Sequence, residues 1–313
     1  MRKILVTGGA GFIASSLAAK LAGFKTDQIL IVDDLSTGLR SKIPSSPHNN
    51  IRLVKADVNV FEDIAGVFFS FHPDYVFHYA AVVGVQRTLA SPIKVLNDVS
   101  GIKNVLNLSM KGVKRVFFSS SSEVYGEPVE FPQNEKTTPL NSRLPYAIVK
   151  NIGESYLRSY RQEYGLNYTI FRFFNTYGPN QSSDFVVSKF ISQALRGGDI
   201  GVFGDGSQTR TFCYVDDNIK ATTAAFYRDE FVNDVVNIGS DKETTILDLA
   251  RTIIKVTDSS SKIVHLPSLP EGDMTRRLPD ATKMRILLGD PYITLEEGLI
   301  RILHESERNS RWH

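Results

Sequence analysis

The chain has 313 residues, 42% hydrophobic and 22% charged, ordinary proportions for a soluble protein built as one sizeable α/β unit with a smaller lobe. A net charge of +2 without any Lys/Arg-rich block argues against nucleic acid as a partner, and the single Cys213 excludes a disulfide framework or a multi-cysteine metal site. The apolar start Ile4-Leu5-Val6 stops at Thr7-Gly8-Gly9, and no run reaches the roughly 18 apolar residues of a membrane span.

A cytoplasmic protein with no metal and no membrane contact is therefore expected. Cys213 lies in the apolar run Thr211-Phe212-Cys213-Tyr214-Val215 and reads as buried filler. In chain order, Lys3–Thr7 predicts a first strand and Ala10–Ala22 the helix after it. Further strands are predicted at Gln28–Asp33, Ile51–Lys55, Tyr75–His78, Arg115–Ser119 and Tyr168–Phe173, all short and rich in β-branched or aromatic residues. Helices are predicted between them at Phe61–Phe69, Ile93–Met110 and Leu144–Tyr164.

Such alternation predicts a doubly wound parallel sheet of the Rossmann kind, with ligands beyond the carboxyl ends of its strands. After Asn175 the regularity lapses. A loop over 179–184, a helix at Phe185–Arg196, a turn at Gly204-Asp205-Gly206 and a helix at Asp216–Phe226 follow, and Val235–Gly239 is expected to return one strand to the sheet. The expected organisation is a first domain over 1–175 with 211–239 returning to it, and a smaller, discontinuous C-terminal lobe from 176–210 and 240–313. The polar end Glu305–His313 is expected to fray.

Three segments carry chemistry. Thr7-Gly8-Gly9-Ala10-Gly11-Phe12-Ile13-Ala14 joins the first strand to the first helix. Gly8 permits the tight turn, and Gly11 lets a pyrophosphate approach the helix N-terminus. Asp33, at the end of the next strand, is placed to accept a hydrogen bond from a ribose 2′-hydroxyl and would repel a 2′-phosphate, which favours NAD over NADP. Asp34 beside it reads equally well as a turn residue, and Arg40 and Lys42 just downstream leave NADP open. Tyr146 and Lys150 stand four residues apart, on one face of the predicted helix, where an ammonium favours a phenolate that acts as a base. Ser121-Ser122-Glu123-Val124-Tyr125-Gly126 lies between these two segments.

Along its whole length the chain resembles the extended short-chain dehydrogenase/reductases, specifically the NAD-dependent nucleotide-sugar epimerases, decarboxylases and dehydratases. The matching segments include Asp33 to Gly38, Asp57-Val58, His78-Tyr79-Ala80-Ala81, the serines before Tyr125-Gly126, and Tyr146 with Lys150. Arg172 to Pro179, Gly204 to Arg210, Tyr214 to Asp217 and Arg276 to Lys283 also match. The resemblance implies a cofactor site of Gly8, Gly11, Phe12, Ile13, Asp33, Asp34, Ser36, Thr37 and Gly38, then Asp57 and Val58 beside the adenine. Tyr79, Ala80, Ala81, Ser119, Tyr146, Lys150 and Phe173 complete it. Tyr146 resembles the base, Lys150 the residue holding the nicotinamide ribose, and Ser121 the hydroxyl partner, with Glu123 as a further catalytic candidate. Arg87, Ser121, Ser122, Asn175, Arg210 and Arg277 are implied for the substrate, with Arg276 an alternative to Arg277. A guanidinium fits a diphosphate bidentately.

Two departures stand out. Asp98-Val99-Ser100-Gly101-Ile102 replaces the family's Asn-Val-x-Gly-Thr, and a carboxylate cannot donate as the amide does. Glu123 matches decarboxylases and dehydratases rather than most 4-epimerases. The dehydratases' Asp-Glu is Ser122-Glu123 here, which disfavours that outcome. Decarboxylases share Ser-Glu and the Gln208-Thr209-Arg210 segment, yet 180–189 lacks the arginine expected beside a sugar carboxylate. The segment from Val83 to Thr88 looks more like the epimerases, and the expectation leans to 4-epimerisation of a UDP-hexose, with UDP-glucuronate decarboxylation as the alternative. A protein that binds NAD without turnover would have lost part of the Ser121, Tyr146 and Lys150 set. A homodimer is also implied, its helices near Ile93 and Leu144 pairing across a two-fold axis. The stripe Val95, Val99, Ile102 and Leu106 would serve that interface or the protein's own sheet.

Overall fold

The computed structural model describes residues 1–267 and 275–308. Its first elements are β1 (Arg2–Thr7), α1 (Phe12–Ala22), β2 (Asp27–Asp33), β3 (Ile51–Lys55), α2 (Phe61–Phe71) and β4 (Tyr75–His78). Then come α3 (Val85–Ala90), α4 (Pro92–Leu96), α5 (Asp98–Ser109), β5 (Arg115–Ser121), α6 (Pro145–Tyr164) and β6 (Tyr168–Phe173). The later part holds β7 (Thr176–Tyr177), α7 (Val186–Leu195), β8 (Ile200–Phe203), β9 (Thr209–Thr211), β10 (Cys213–Tyr214) and α8 (Val215–Tyr227). It closes with β11 (Asp234–Ile238), β12 (Glu243–Thr245), α9 (Ile246–Val256), β13 (Ile263–Leu266), α10 (Thr282–Leu288) and α11 (Leu295–Arg308).

Seven strands form the main sheet in the order β11-β6-β5-β4-β1-β2-β3, a Rossmann-like α/β fold. The pairs from β3 across to β6 run parallel. The chain winds outward from β1 to β3 and then restarts at β4 on the other side of β1. The switch point between β1 and β4 is where such sheets bind ligands. Alternation along the strands sends neighbouring side chains to opposite faces. Phe118 thus packs with Val149 and Leu157 of α6, while Phe117 stacks on Phe77 at 4.4 Å and meets Phe226 of α8 edge-on.

The chain divides into two compact units. One comprises Met1–Val124, Ser142–Phe173 and Ile219–Val236; the other Tyr125–Asn141, Phe174–Asn218 and the described residues from Asn237 on. Residues 125–141, 174–175, 211–218 and 237–239, expected in the first domain, belong to the second unit instead. Tyr125 donates to Asn237 at 2.7 Å, Asn134 to Asp280 at 2.8 Å, and Gln133 bridges to Pro279. Among its described residues the second unit pairs β7 with β10, β8 with β13 and β9 with β12.

The helix expected over Ile93–Met110 is two helices, broken at Asn97 between α4 and α5, and α3 precedes them in a stretch given no element. Val95, Ile102 and Leu106 of the apolar stripe are buried in the unit's own core, with Val99 packed against it. The three buried side chains cover the sheet. The start of the polar end is helical to Arg308 in α11; 309–313 lie outside the described residues.

Candidate active site

Gly8 has φ +69°, a conformation that disfavours any side chain, and a Cβ there would lie 2.7 Å from the backbone of Ala80. The two turns at the switch point therefore touch through glycine. Thr7 ties them as well, its Oγ1 accepting from the amides of Tyr79 and Ala80, both at 3.2 Å. Gly11 donates to the Gly8 carbonyl at 2.9 Å and caps α1 without a side chain. The amides of Phe12 and Ile13 thus open a helix N-terminus suited to a phosphate.

Asp33, 8% exposed, does more than the sequence reading gave it. One carboxylate oxygen accepts from the Ala10 amide at 2.9 Å and the other from the Leu35 amide at 2.8 Å. Burial raises its pKa against these two hydrogen bonds. Gly38 returns close to it, where a Cβ would meet Asp33 Oδ1 at 2.6 Å. Each oxygen keeps a second lone pair, so a ribose hydroxyl remains compatible. Asp34 accepts from the amide and hydroxyl of Ser36, which makes it the turn residue, and Thr37 follows exposed.

The remaining cofactor candidates divide by orientation. Val58 turns its side chain into the core and Asp57 caps the Asn59 amide at 2.8 Å. Tyr79 buries its phenol against Phe77 and Phe173, and that burial raises its pKa. Ala81, beyond Ala80, is half-buried.

The catalytic candidates lie at the end of β5 and the start of α6. Pro145 occupies the first turn of α6, so Tyr146 stands at the positive end of a 20-residue helix. Lys150, 3% exposed, places its ammonium 5.7 Å from the Tyr146 ring centroid and 3.4 Å from Ser119 Oγ. Ser119 in turn donates to the His78 carbonyl at 3.4 Å. Burial pushes Lys150 down to about 8, with the Asp98 charge acting the other way. Ser121 Oγ accepts from the Glu123 amide at 3.1 Å, which leaves its hydroxyl proton for another acceptor. Ser122 is buried and Glu123 half-buried. Arg87 donates to the Val83 carbonyl at 3.1 Å.

In the second unit, Asn175 has a buried amide oxygen with no partner among the described residues, a group that calls for a ligand or water. Arg210 is buried on β9 and donates to the Thr209 carbonyl at 2.7 Å. Arg277 is buried, whereas Arg276 is committed to Glu243 through two bonds of 2.6 Å and lies 4.1 Å over Phe131. Of the paired arginines, Arg277 is thus the better diphosphate candidate. Among the described residues no cluster of His, Cys, Asp and Glu could hold a metal, and no helix is long and apolar enough to cross a membrane.

Glu154 is a further residue of this site's framework. It is fully buried on α6, accepts from Ser120 at 2.7 Å, and forms an ion pair with Arg172 of β6. No motif marks it; only a charged residue on the inward face of the helix, at 154, could have signalled it.

The sequence model of the NAD dependent epimerase/dehydratase family matches residues 4–239. The chain belongs to that family. NAD is its cofactor, and the close glycine turn, the side-chain-free cap of α1 and the Asp33 carboxylate all fit that group. The chain is 37% identical to the UDP-N-acetyl-alpha-D-glucosaminuronate decarboxylase of Bacillus cytotoxicus, over 95% of each chain. It is 34% identical to UDP-glucuronic acid decarboxylase 1 of Xenopus tropicalis, covering 97% of this chain and 72% of the relative. Among solved structures, the UDP-glucose 4-epimerase of Thermotoga maritima with UDP-glucose superposes with a TM-score of 0.92 at 34% identity, covering 99% of this chain and 100% of that one. This family member is an enzyme acting on nucleotide sugars.

Proposed function

We propose that this enzyme decarboxylates a UDP-linked uronate, UDP-glucuronate or its 2-acetamido analogue, through a transient 4-keto sugar. The observation carrying this reading is Glu123, whose amide is anchored on the hydroxyl of Ser121, so that a carboxylate stands two residues from the group assigned to the substrate. The decarboxylase relatives support the same reading, at up to 37% identity over nearly the full length.

Tyr146 takes the proton of the sugar 4-hydroxyl, assisted by the Ser121 hydroxyl and by the positive charge of Lys150. NAD supplies a reversible acceptor for the hydride on the same carbon. Once carbon 4 is a ketone, the carboxylate on carbon 5 is β to it. The C–C bond breaks, its electron pair passes into the enolate, carbon dioxide leaves, a proton returns to carbon 5, and carbon 4 regains its hydride and its hydroxyl proton, which leaves the reduced sugar. Asn175, Arg210 and Arg277 bind the nucleoside diphosphate in this reading, a homodimer is its assembly, and a reducing cytoplasm suits a lone, buried Cys213.

One observation favours a second reading, 4-epimerisation of a UDP-hexose. No arginine occurs in 180–189 to partner a sugar carboxylate. Proton NMR of products from UDP-glucuronate, UDP-N-acetylglucosaminuronate and UDP-glucose decides between them. A UDP-pentose from UDP-glucuronate or its 2-acetamido analogue from UDP-N-acetylglucosaminuronate, lost in Glu123→Ser, is expected. Conversion of UDP-glucose to its 4-epimer with both uronates untouched, and with Glu123→Ser within about tenfold of the parent, roughly 1.4 kcal/mol of barrier, would replace decarboxylation with epimerisation.

A further inference from the structure

Thr7 is completely buried, and its hydroxyl has one proton and two lone pairs to place. Its Oγ1 accepts from the amides of Tyr79 and Ala80, both at 3.2 Å, the first of them shared with the Thr7 carbonyl. The remaining contact is His78 Nδ1 at 2.8 Å, a pair in which either group is able to donate. Counting protons decides between them. With hydrogen on Nδ1, Thr7 Oγ1 would face three donors, and its own proton would have no acceptor among the described residues. The Thr7 hydroxyl therefore donates to a bare Nδ1, and the ring proton sits on Nε2.

The far side of the ring does not compete. His78 Nε2 is buried with no partner among the described residues, and the ring stacks on Phe118 with centroids 5.9 Å apart. An imidazolium fails the same count, because it too brings a hydrogen to Nδ1. Burial, and after it the Lys150 charge, push the His78 pKa down to about 3, which agrees with a neutral ring.

What the arrangement holds is the approach of two turns. Thr7 ends β1, while Tyr79 and Ala80 follow β4. Gly8, next to Thr7, comes so near Ala80 that a Cβ would lie 2.7 Å from its backbone, and the Gly8 carbonyl accepts from Gly11 at the N-cap of α1. A freely rotating Thr7 hydroxyl would point its proton at the two amides part of the time. An acceptor at Nδ1 removes that freedom.

We propose that His78 is a positioning residue whose Nδ1 takes the Thr7 proton and so keeps the Thr7 lone pairs on the amides that close the cofactor turn. It acts through Thr7, and it holds for either sugar reaction. The first arm of the test is spectroscopic. In NAD-loaded, 15N-labelled protein, two-bond proton–nitrogen correlations of the His78 ring, identified by their loss in His78→Asn, should show hydrogen on Nε2 and a bare Nδ1 at about pH 7. Hydrogen on Nδ1, in a neutral or a charged ring, overturns the proposal.

The second arm is NAD affinity by calorimetry. His78→Asn offers an amide oxygen near the place of Nδ1 and should keep affinity within about threefold, whereas His78→Leu should weaken it roughly tenfold, the scale of one hydrogen bond. In a Thr7→Val background His78→Leu should cost nothing further, since no hydroxyl proton is left to receive. Losses that simply add, or an unchanged affinity in His78→Leu, would make the ring a packing residue and overturn the proposal. Should His78→Leu not fold, the correlations of the unmutated protein decide alone. Failure to turn over any nucleotide sugar would sink the functional reading and leave both arms standing.

Discussion

Glu154 accepts from both Nε and Nη2 of Arg172, at 2.8 and 2.7 Å, with neither side chain more than 1% exposed. The pair links α6, which carries Tyr146 and Lys150, to β6, and through Ser120 to the strand carrying Ser119 and Ser121. Arg158, one turn further along α6, adds a bond at 2.9 Å.

Removing one partner of such a pair strands the other in the core. Glu154→Gln is expected to destabilise the protein by about 3–5 kcal/mol in denaturant melts near neutral pH. Burial alone would raise the Glu154 pKa, but the Arg172 bonds outweigh it and hold the group below the usual carboxylate range. Its contribution is then complete above the unfolded-state pKa and is lost as pH falls through the lower folded value. The gap between parent and variant should therefore shrink only on strong acidification. A gap constant down to the acid transition would contradict this.

Tyr146→Phe should retain NAD while losing turnover by about 10²–10⁴-fold, the usual contribution of a general base. In the proposed site the cofactor's contacts fall to Lys150 and the Gly8–Gly11 turn, which the change leaves intact. Bound NAD quantified after gel filtration, set beside the rate, checks both halves; more than half the parental rate would remove Tyr146 from the chemistry.

Asp33→Ala should narrow the preference for NAD over NADP by about 1–3 kcal/mol, the scale of a charge-assisted hydrogen bond. It also strips the Ala10 and Leu35 amides of their acceptor. Affinity for both cofactors should consequently fall, unlike a pure specificity change. Calorimetric titration with each cofactor separates the two effects, and equal binding of NADP by the unmutated chain would end the ribose assignment.

A homodimer, if formed through α4 and α6, should use Ile93, 71% exposed, with Leu96 and Ile148, because the inner stripe is occupied. Light scattering should give twice 34.9 kDa for the parent and a lighter species for Ile93→Asp with Ile148→Asp. A parent that runs as a monomer at micromolar concentration rejects the assembly.

Sequence alone determined the alternating elements of the first unit. Their hydrophobic periods are local, and glycine at 8 and 11 announces a turn whatever surrounds it. The spacing of Tyr146 and Lys150 likewise needs only one helix to place both on a face. Tertiary structure decided what depends on partners distant in the chain. Val95, Ile102 and Leu106 turned inward because the sheet needed covering, an alternative that periodicity left open. Arg276 was taken by Glu243, 33 positions away, and Asp33 was recruited to brace Ala10, 23 positions earlier. Glu154 and Arg172 meet because α6 lies on β5, the strand before it, and on β6, the strand after it. Burial makes their charges interact strongly only once they are together, and pairwise meetings of that kind leave no period in a sequence.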